Sequence, residues 1–469
     1  MLKLFKFSVS QFLFSSFLFS SFSFCFADKI QNLIQDKTPE ASVGILIEQV
    51  NTGKILYSYN AGHAYAPASN NKILTAIAAL KQLGNSYEFL TVVSANNSDI
   101  QDHVLNSPIY IKFSGDPSLT SDDLQDLINT LKTLGIQKIN GDVILDTSEY
   151  SGSPVPLGVV HDDLPYCFMA PIQSVILNQN CINFSVNLNS NNQMVIDKQA
   201  NAEGFSIINN LVQIPGKDDP KTCTFYPHMD QNNQVILEGC LTAKQNINFS
   251  FAIANPTLYA EKIIQQTLLA NNIQITGSIK TGLQSKDTKI LASHHSDPLI
   301  NLVTLMLTTS NNIYAGSLTH AVGYAYYGVG SNKAGVNAIE SIDSALMGKP
   351  FTYFEIEDGA GDSRYNMITP NDLVDLLQAA YKDPTLRNDL LISLPRSGMT
   401  GTLKYRMGHV PLLGNVYAKT GSMQGISTLS GYLKTRQGKI YVFSIMINGL
   451  ASSLHPARDL QDAILAIFS

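Results

Sequence analysis

The sequence predicts an α+β multidomain protein in which a five-stranded antiparallel sheet with flanking helices is split by a two-subdomain insert. Three observations carry this. Two strand-like runs joined by a Gly-containing turn stand near the start of the chain, and three more stand near its end. An amphipathic helix closes the chain, and the long stretch between the two halves changes character twice. At 469 residues the chain has room for about three domains, each with its own core. A hydrophobic fraction of 44% against 14% charged residues fits a folded globular protein. A formal net charge of −6 without any Lys/Arg-rich run excludes a nucleic-acid surface.

Residues 1–27 read as a secretory signal. Lys3 and Lys6 precede the uncharged, apolar and serine-rich "FSVSQFLFSSFLFSSFSF", and "CFA" sets Cys25 and Ala27 at the −3 and −1 positions before Asp28. Phe24 is bulky where a lipoprotein signal needs a small residue. No later stretch approaches the roughly 18 uninterrupted apolar residues of a membrane span. The mature protein is therefore expected to be exported, and soluble or loosely membrane-associated.

"VGILIEQV" (43–50), the turn "NTGK" and "ILYSYN" (55–60) read as a hairpin, followed by a helix from about Pro67 to Leu83. At the other end "GNVYAKTGS" (414–422), "GISTLSGYL" (425–433) and "KIYVFSIMING" (439–449) read as three antiparallel strands. The closing helix carries Leu460, Ile464 and Ile467 on one face. Residues 28–85 and 286–469 thus make one split domain. Residues 86–175 mix strands ("PIYIKFSG", "GDVILD") with the helical "SDDLQDLINTLKTLG" and form an inserted α/β subdomain. Residues 176–285 form a mainly-β subdomain with one helix near "TLYAEKIIQQTLLANN".

Without Cys25, four cysteines remain: Cys167, Cys181, Cys223 and Cys240. An even number in an exported chain predicts two disulfides, with three connectivities open. Pairing Cys167 with Cys181 and Cys223 with Cys240 is expected, since each pair brackets a short segment and the second flanks the hairpin-like turn "MDQNNQ". No C-x-x-C pair or flanking His pattern suggests a metal, and His294-His295 reads as a polar loop.

The stretch "APASNNKILTAIAALKQLG" (66–84) sets Ser69 and Lys72 three residues apart where an apolar helix begins. Serine caps helices and lysine suits them, so the pair alone decides nothing. It does fit nucleophilic catalysis. Positions i and i+3 share a helical face, so a neutral lysine can take the serine proton. Burial or a second cation nearby would keep it neutral. That chemistry predicts a further lysine and a hydroxyl to relay the proton. "TTSNNIYAGSL" supplies Ser310 and Asn312, and "AKTGSMQG" supplies Lys419, Thr420 and Gly421.

With these three motifs, S-x-x-K, S-x-N and K-T-G, the sequence resembles the penicillin-recognising serine acyltransferases. A second K-T-G at Lys280 falls before Ser310, against the family's order. The resemblance narrows to the class C low-molecular-mass penicillin-binding proteins, the D-alanyl-D-alanine carboxypeptidase/endopeptidases, which carry two extra domains between the first two motifs; here 238 positions separate Lys72 from Ser310. Matching stretches are "FSGDPSLT", "DDLPYCFMAPIQSVILNQNC", "DGAGDSRYNMITP" and "LPRSGMTGTLKYRM". Ala360, Asp362 and Asn311 depart from the family pattern, and none of these departures removes a catalytic side chain.

The resemblance implies the following roles. Ser69 is the acylated nucleophile and Lys72 its base. Ser310 shuttles a proton, Asn312 holds the substrate backbone, and Lys419 supports the proton network. Thr420 in its K-T-G motif with Gly421 would bind the terminal carboxylate, and the backbone N–H groups of Ser69 and Ser422 would form the oxyanion hole. Asp163, Phe168, Arg364 and Gln424 would receive a diaminopimelate side chain at the third stem-peptide residue. Peptidoglycan stem peptides are then the substrates, β-lactams covalent inhibitors, and the periplasm the location. No metal or organic cofactor is needed, and a homodimer is compatible with the reading. Two rivals are a β-lactamase-like hydrolase, for which no E-x-x-L-N motif is found, and a non-catalytic murein-binding protein, against which the intact motifs argue. A Ser-His-Asp hydrolase lacks its G-x-S-x-G elbow.

Overall fold

The structure is a computed structural model that describes residues 26–96, 100–188, 194–199, 205–214, 224–242, 247–451 and 453–469. Its organising element is a five-stranded sheet in the order Lys54–Tyr59, Ser42–Gln49, Ile440–Asn448, Ile426–Lys434, Val416–Met423, antiparallel throughout. Two strands come from the start of the chain and three from its end, as expected. The period-2 alternation of a strand sends Leu46 to one face and Ile45 and Ile47 to the other. Both faces are covered. On one, a buried cluster joins Leu46, Val442 and Met446 to the helices Asn71–Leu83, Leu299–Thr309 and Pro370–Lys382. On the other, Phe443, Ile445 and Ile447 meet the helical residues 26–37 and the closing helix His455–Phe468. Burial on two sides explains why "YVFSIMI" reads as a nearly continuous apolar run.

Helix Asn71–Leu83 is buried around its whole circumference from Asn71 to Leu80, as a core helix should be. Lys72 is therefore buried as a consequence of where the fold places this helix.

The insert carries its own core, in which side chains such as Ile111, Ile128 and Leu145 form one cluster with Phe184, Phe251 and Ile264. Its α/β portion has a five-stranded sheet in the order Ile279–Thr281, Val143–Asp146, Ile109–Lys112, Leu90–Ala95, Lys289–His295. The expected borders at 175 and 285 do not follow this sheet, because two of its strands return from 279–281 and 289–295. Such strands are too short or too polar to declare their partner from periodicity. His294 and His295 accordingly end a strand instead of forming a loop, His295 Nδ1 lying 2.9 Å from Glu88 Oε2. The mainly-β portion has two three-stranded sheets, and the turn after Phe225–Met229 leads into Val235–Thr242 as an antiparallel hairpin. Cys167 and Cys181 are joined, with Cα atoms 5.2 Å apart. Cys223 lies outside the described residues, so the second expected pair is not described. Among the described residues no helix is long and apolar enough to cross a membrane.

Candidate active site

The polar residues at the start of the buried helix each have a structural task. A short 3-10 turn, Ala68–Asn70, precedes the helix, with Ala68 at φ 47°. Asn70 Nδ2 donates to Ser430 Oγ at 2.7 Å, Asn71 Nδ2 to the carbonyl of Asp358 at 3.0 Å, and Thr428 Oγ1 to the carbonyl of Pro67 at 2.7 Å. These bonds pin the helix start to the sheet on one side and to the 358–363 loop on the other. Two glycines allow the close approach. A Cβ at Gly421 would collide with Thr428 Oγ1 and crowd the Pro67 carbonyl, and one at Gly361 (φ +89°) would strike the Ala68 carbonyl. Ser69 alone of this group stays partly exposed.

Lys72 Nζ lies 3.0 Å from Ser69 Oγ, 2.7 Å from Asn312 Oδ1 and 2.6 Å from the carbonyl oxygen of Ala360. Burial pushes its pKa down, opposed by the charges of Asp362 and Asp358. Two of the three neighbours can only accept. A neutral amine has two N–H groups to give them, which leaves its lone pair for the Ser69 hydroxyl.

Ser310 closes helix Leu299–Thr309 in the left-handed conformation (φ 60°), and Asn311 caps the next helix by accepting from Ile313 N and Tyr314 N. This tight junction sets Ser310 and Asn312 toward different lysines. Lys419 Nζ donates to Ser310 Oγ and to the Thr420 carbonyl, each at 2.8 Å. Lys419 is fully buried, and burial together with the Lys72 ammonium holds its pKa well below the usual lysine value. It lies on the outer strand Val416–Met423 with Thr420, Gly421 and Ser422. Thr420 Oγ1 is 2.8 Å from Thr402 Oγ1, and Ser422 is exposed. Lys280 of the other K-T-G is on the insert, bonded to Asp142 at 2.5 Å.

The residues expected to meet the third stem-peptide position divide into two groups. Asp163 ends a 3-10 turn and lies close enough to add its charge to the burial and the Asp358 charge that raise the pKa of Asp362. Phe168 is exposed, and its carbonyl accepts from Asn312 Nδ2 at 2.9 Å. Arg364 Nη1 donates at 2.9 Å to Gln424, but to its backbone carbonyl and not its side chain. Sequence reasoning missed Asp358. Its buried carboxylate accepts from the backbone N–H groups of Ala360, Gly361, Asp362 and Ser363 and from Asn366 Nδ2, shaping the loop that offers the Ala360 carbonyl to Lys72. Its only signal in the sequence was the Asp-Gly opening of "DGAGDS". Among the described residues no group of three or more His, Cys, Asp or Glu is arranged to hold a metal ion.

A sheet split between the two chain ends, with a serine and a buried lysine at a helix start beside its outer strand, defines a serine peptidase of the penicillin-binding type. The family model described as "D-Ala-D-Ala carboxypeptidase 3 (S13) family" matches residues 26–468. The chain belongs to that family and is a D-Ala-D-Ala carboxypeptidase. It is 32% identical to the D-alanyl-D-alanine carboxypeptidase DacB of Haemophilus influenzae, over 89% of this chain and 88% of that protein. It is 28% identical to the D-alanyl-D-alanine carboxypeptidase of Actinomadura sp. strain R39, over 93% of this chain and 83% of that one. The crystal structure of penicillin binding protein 4 from H. influenzae matches with a TM-score of 0.88 at 30% identity, covering 94% of this chain and 99% of that chain. A second structure of that protein, in complex with a β-lactam, matches with a TM-score of 0.84 at 29% identity.

Proposed function

We propose that this carboxypeptidase works through an acyl-enzyme on Ser69, with Lys72 as the base. The observation that carries the reading is the three-way setting of Lys72 Nζ, with two carbonyl oxygens and the Ser69 hydroxyl within 3.0 Å. Ser69 Oγ attacks the carbonyl carbon of the penultimate D-alanine and gives its proton to Lys72. The oxyanion is held by the N–H groups of Ser69 and Ser422. Collapse breaks the C–N bond, and the departing amine takes a proton through Ser310 and Lys419, which is replaced by the one Lys72 took from Ser69, so that Lys72 is neutral again before water enters. Water then adds to the ester, passes its proton to Lys72, and releases the shortened peptide as the proton returns to Ser69. Asn312 also holds the substrate backbone, and Thr420 receives the terminal carboxylate.

The same steps cleave a D-alanyl cross-link when the leaving amine belongs to a second stem peptide. Asp163 would then pair with the ammonium of a diaminopimelate residue, Arg364 with its carboxylate, Gln424 would hydrogen-bond, and Phe168 would cover the aliphatic stem. Penicillin is attacked at its ring carbonyl and leaves slowly. The enzyme is read as periplasmic after loss of residues 1–27, with the two ends of the chain, outside the inserted sheets, as the catalytic domain.

The test is incubation of the mature protein with defined muropeptides, with products read by mass. Loss of a single alanine and opening of D-alanyl cross-links are expected, both absent in Ser69→Ala. Undiminished products from that variant would sink the reading.

A further inference from the structure

Asp362 has no part in the mechanism above, yet it sits against two of its groups. Its Oδ1 accepts from Asn312 Nδ2 at 2.8 Å, while Asn312 Oδ1 accepts from Lys72 at 2.7 Å. We propose that Asp362 is a positioning residue for this reaction: its carboxylate fixes the Asn312 amide against Lys72, and its negative charge governs the pH at which Lys72 is free to act as base. The proposal rests on the reading of Lys72 as the base.

The first half follows from hydrogen-bond bookkeeping. Asn312 Nδ2 has two N–H groups, and two oxygens take them: Asp362 Oδ1 and the Phe168 carbonyl. Turning the amide over would set its oxygen against both acceptors and its NH2 against the lysine. With Asp362 replaced by a residue that cannot accept, only one oxygen would oppose that turn. The geometry of the base would then depend on a loosely held neighbour.

The second half follows from the charges present. Lys72 is faced by the carboxylates of Asp362 and Asp358, and it in turn acts on the cation of Lys419. Burial raises the Asp362 carboxyl to about 7, with Lys72 opposing the rise and Asp358 and Asp163 adding to it, so its charge is present near and above neutrality, where burial brings Lys72 down to about 8. His320 lines the same small cleft as Asp362, but burial pushes its pKa down to about 4, so it adds no charge near neutrality. Burial alone favours a neutral lysine, and each carboxylate favours the ammonium. The hydrogen-bond chain through Asn312 places Asp362 within about 8 Å of the Lys72 nitrogen. At an effective dielectric of about 20, removing one charge at that range moves the partner's titration by about 1 to 2 pH units. Because the base must lose a proton to work, acylation rises with pH. Loss of the Asp362 charge moves that rise to lower pH.

The measurement is the second-order rate of acylation by a chromogenic β-lactam between pH 5 and 10, for the wild type, Asp362→Asn, Asp362→Ala and Lys72→Ala. Asp362→Asn keeps an acceptor for Asn312 and loses the charge, so its acidic limb should lie about 1 to 2 pH units lower. Asp362→Ala should show the same displacement and a lower plateau, because the amide is also released. If the alanine protein does not fold, the isosteric asparagine variant carries the test alone. An acidic limb that stays in place in a folded Asp362→Asn protein overturns the proposal. A full plateau in Asp362→Ala overturns its positioning half. Lys72→Ala should be inactive at every pH; activity there would overturn the reading of Lys72 itself, separately from the role of Asp362.

Discussion

Asp358→Asn is the substitution whose cost can be worked most directly from the structure. One oxygen of Asp358 accepts from three backbone N–H groups, of Ala360 at 2.8 Å, Gly361 at 2.6 Å and Asp362 at 3.1 Å. The other accepts from Ser363 N at 2.7 Å and Asn366 Nδ2 at 2.8 Å. An asparagine keeps one oxygen, and its best orientation leaves the larger group satisfied. Its NH2 then faces two donors in a site only 3% exposed. A buried donor without an acceptor costs about 1 to 3 kcal/mol, so about 2 to 6 kcal/mol is expected. At about 2 °C per kcal/mol for a domain of this size, the catalytic unit should lose at least about 4 °C of thermal stability. Acylation should suffer as well, because the loop presents the Ala360 carbonyl to Lys72 and packs Gly361 against Ala68. Thermal unfolding and penicillin labelling of the same preparation check both effects. A variant with wild-type melting and wild-type labelling would refute the reasoning.

Lys419→Ala should abolish penicillin acylation because it removes the buried amine bonded to Ser310, whereas Lys280→Ala breaks only an exposed ion pair on the insert and should leave acylation unchanged; labelling of both proteins separates them. Cys181→Ser opens the Cys167–Cys181 loop, which on the chain-entropy model costs about 3 kcal/mol, readable by denaturant unfolding with and without reductant. Peptide mapping without reduction should find Cys223 joined to Cys240, and a Cys167–Cys240 peptide would contradict the pairing. Asp163→Asn should slow cleavage of diaminopimelate-containing peptides by roughly 30-fold or more while leaving penicillin acylation nearly intact, since a desolvated charge that loses its partner costs about 2 to 5 kcal/mol. Equal loss with both substrates would instead indicate damaged folding.

The parts of this molecule that were legible in its sequence are those with a strong period or a fixed spacing. The strands 42–49 and 440–448 alternate or run apolar because the sheet buries them, and S-x-x-K holds its spacing because side chains three residues apart share a helical face. The insert borders were illegible for a physical reason. Ile279–Thr281 is three residues long, and its parallel partner Val143–Asp146 lies far away in sequence. Lys289–His295 is polar enough to pass for a loop, and its end is set against Asp116 and Glu88 by His294 and His295, contacts that no local pattern announces. In the site, Ser69, Lys72 and Lys419 were visible as side chains. The Ala360 carbonyl was not, since a backbone oxygen leaves no trace in composition. Asp358 and Asp362 lie in a stretch of turn residues, where acids are ordinarily solvated. Only the fold shows that one accepts five hydrogen bonds and the other touches Asn312.

The central claim is that Ser69, activated by Lys72, is the residue that becomes acylated. Mass mapping of the protein after exposure to penicillin tests it most directly. The account predicts one adduct per chain, on the peptide that contains Ser69, and none in Ser69→Ala or Lys72→Ala. An adduct on any other residue, or an undiminished one in the Ser69→Ala protein, would contradict it.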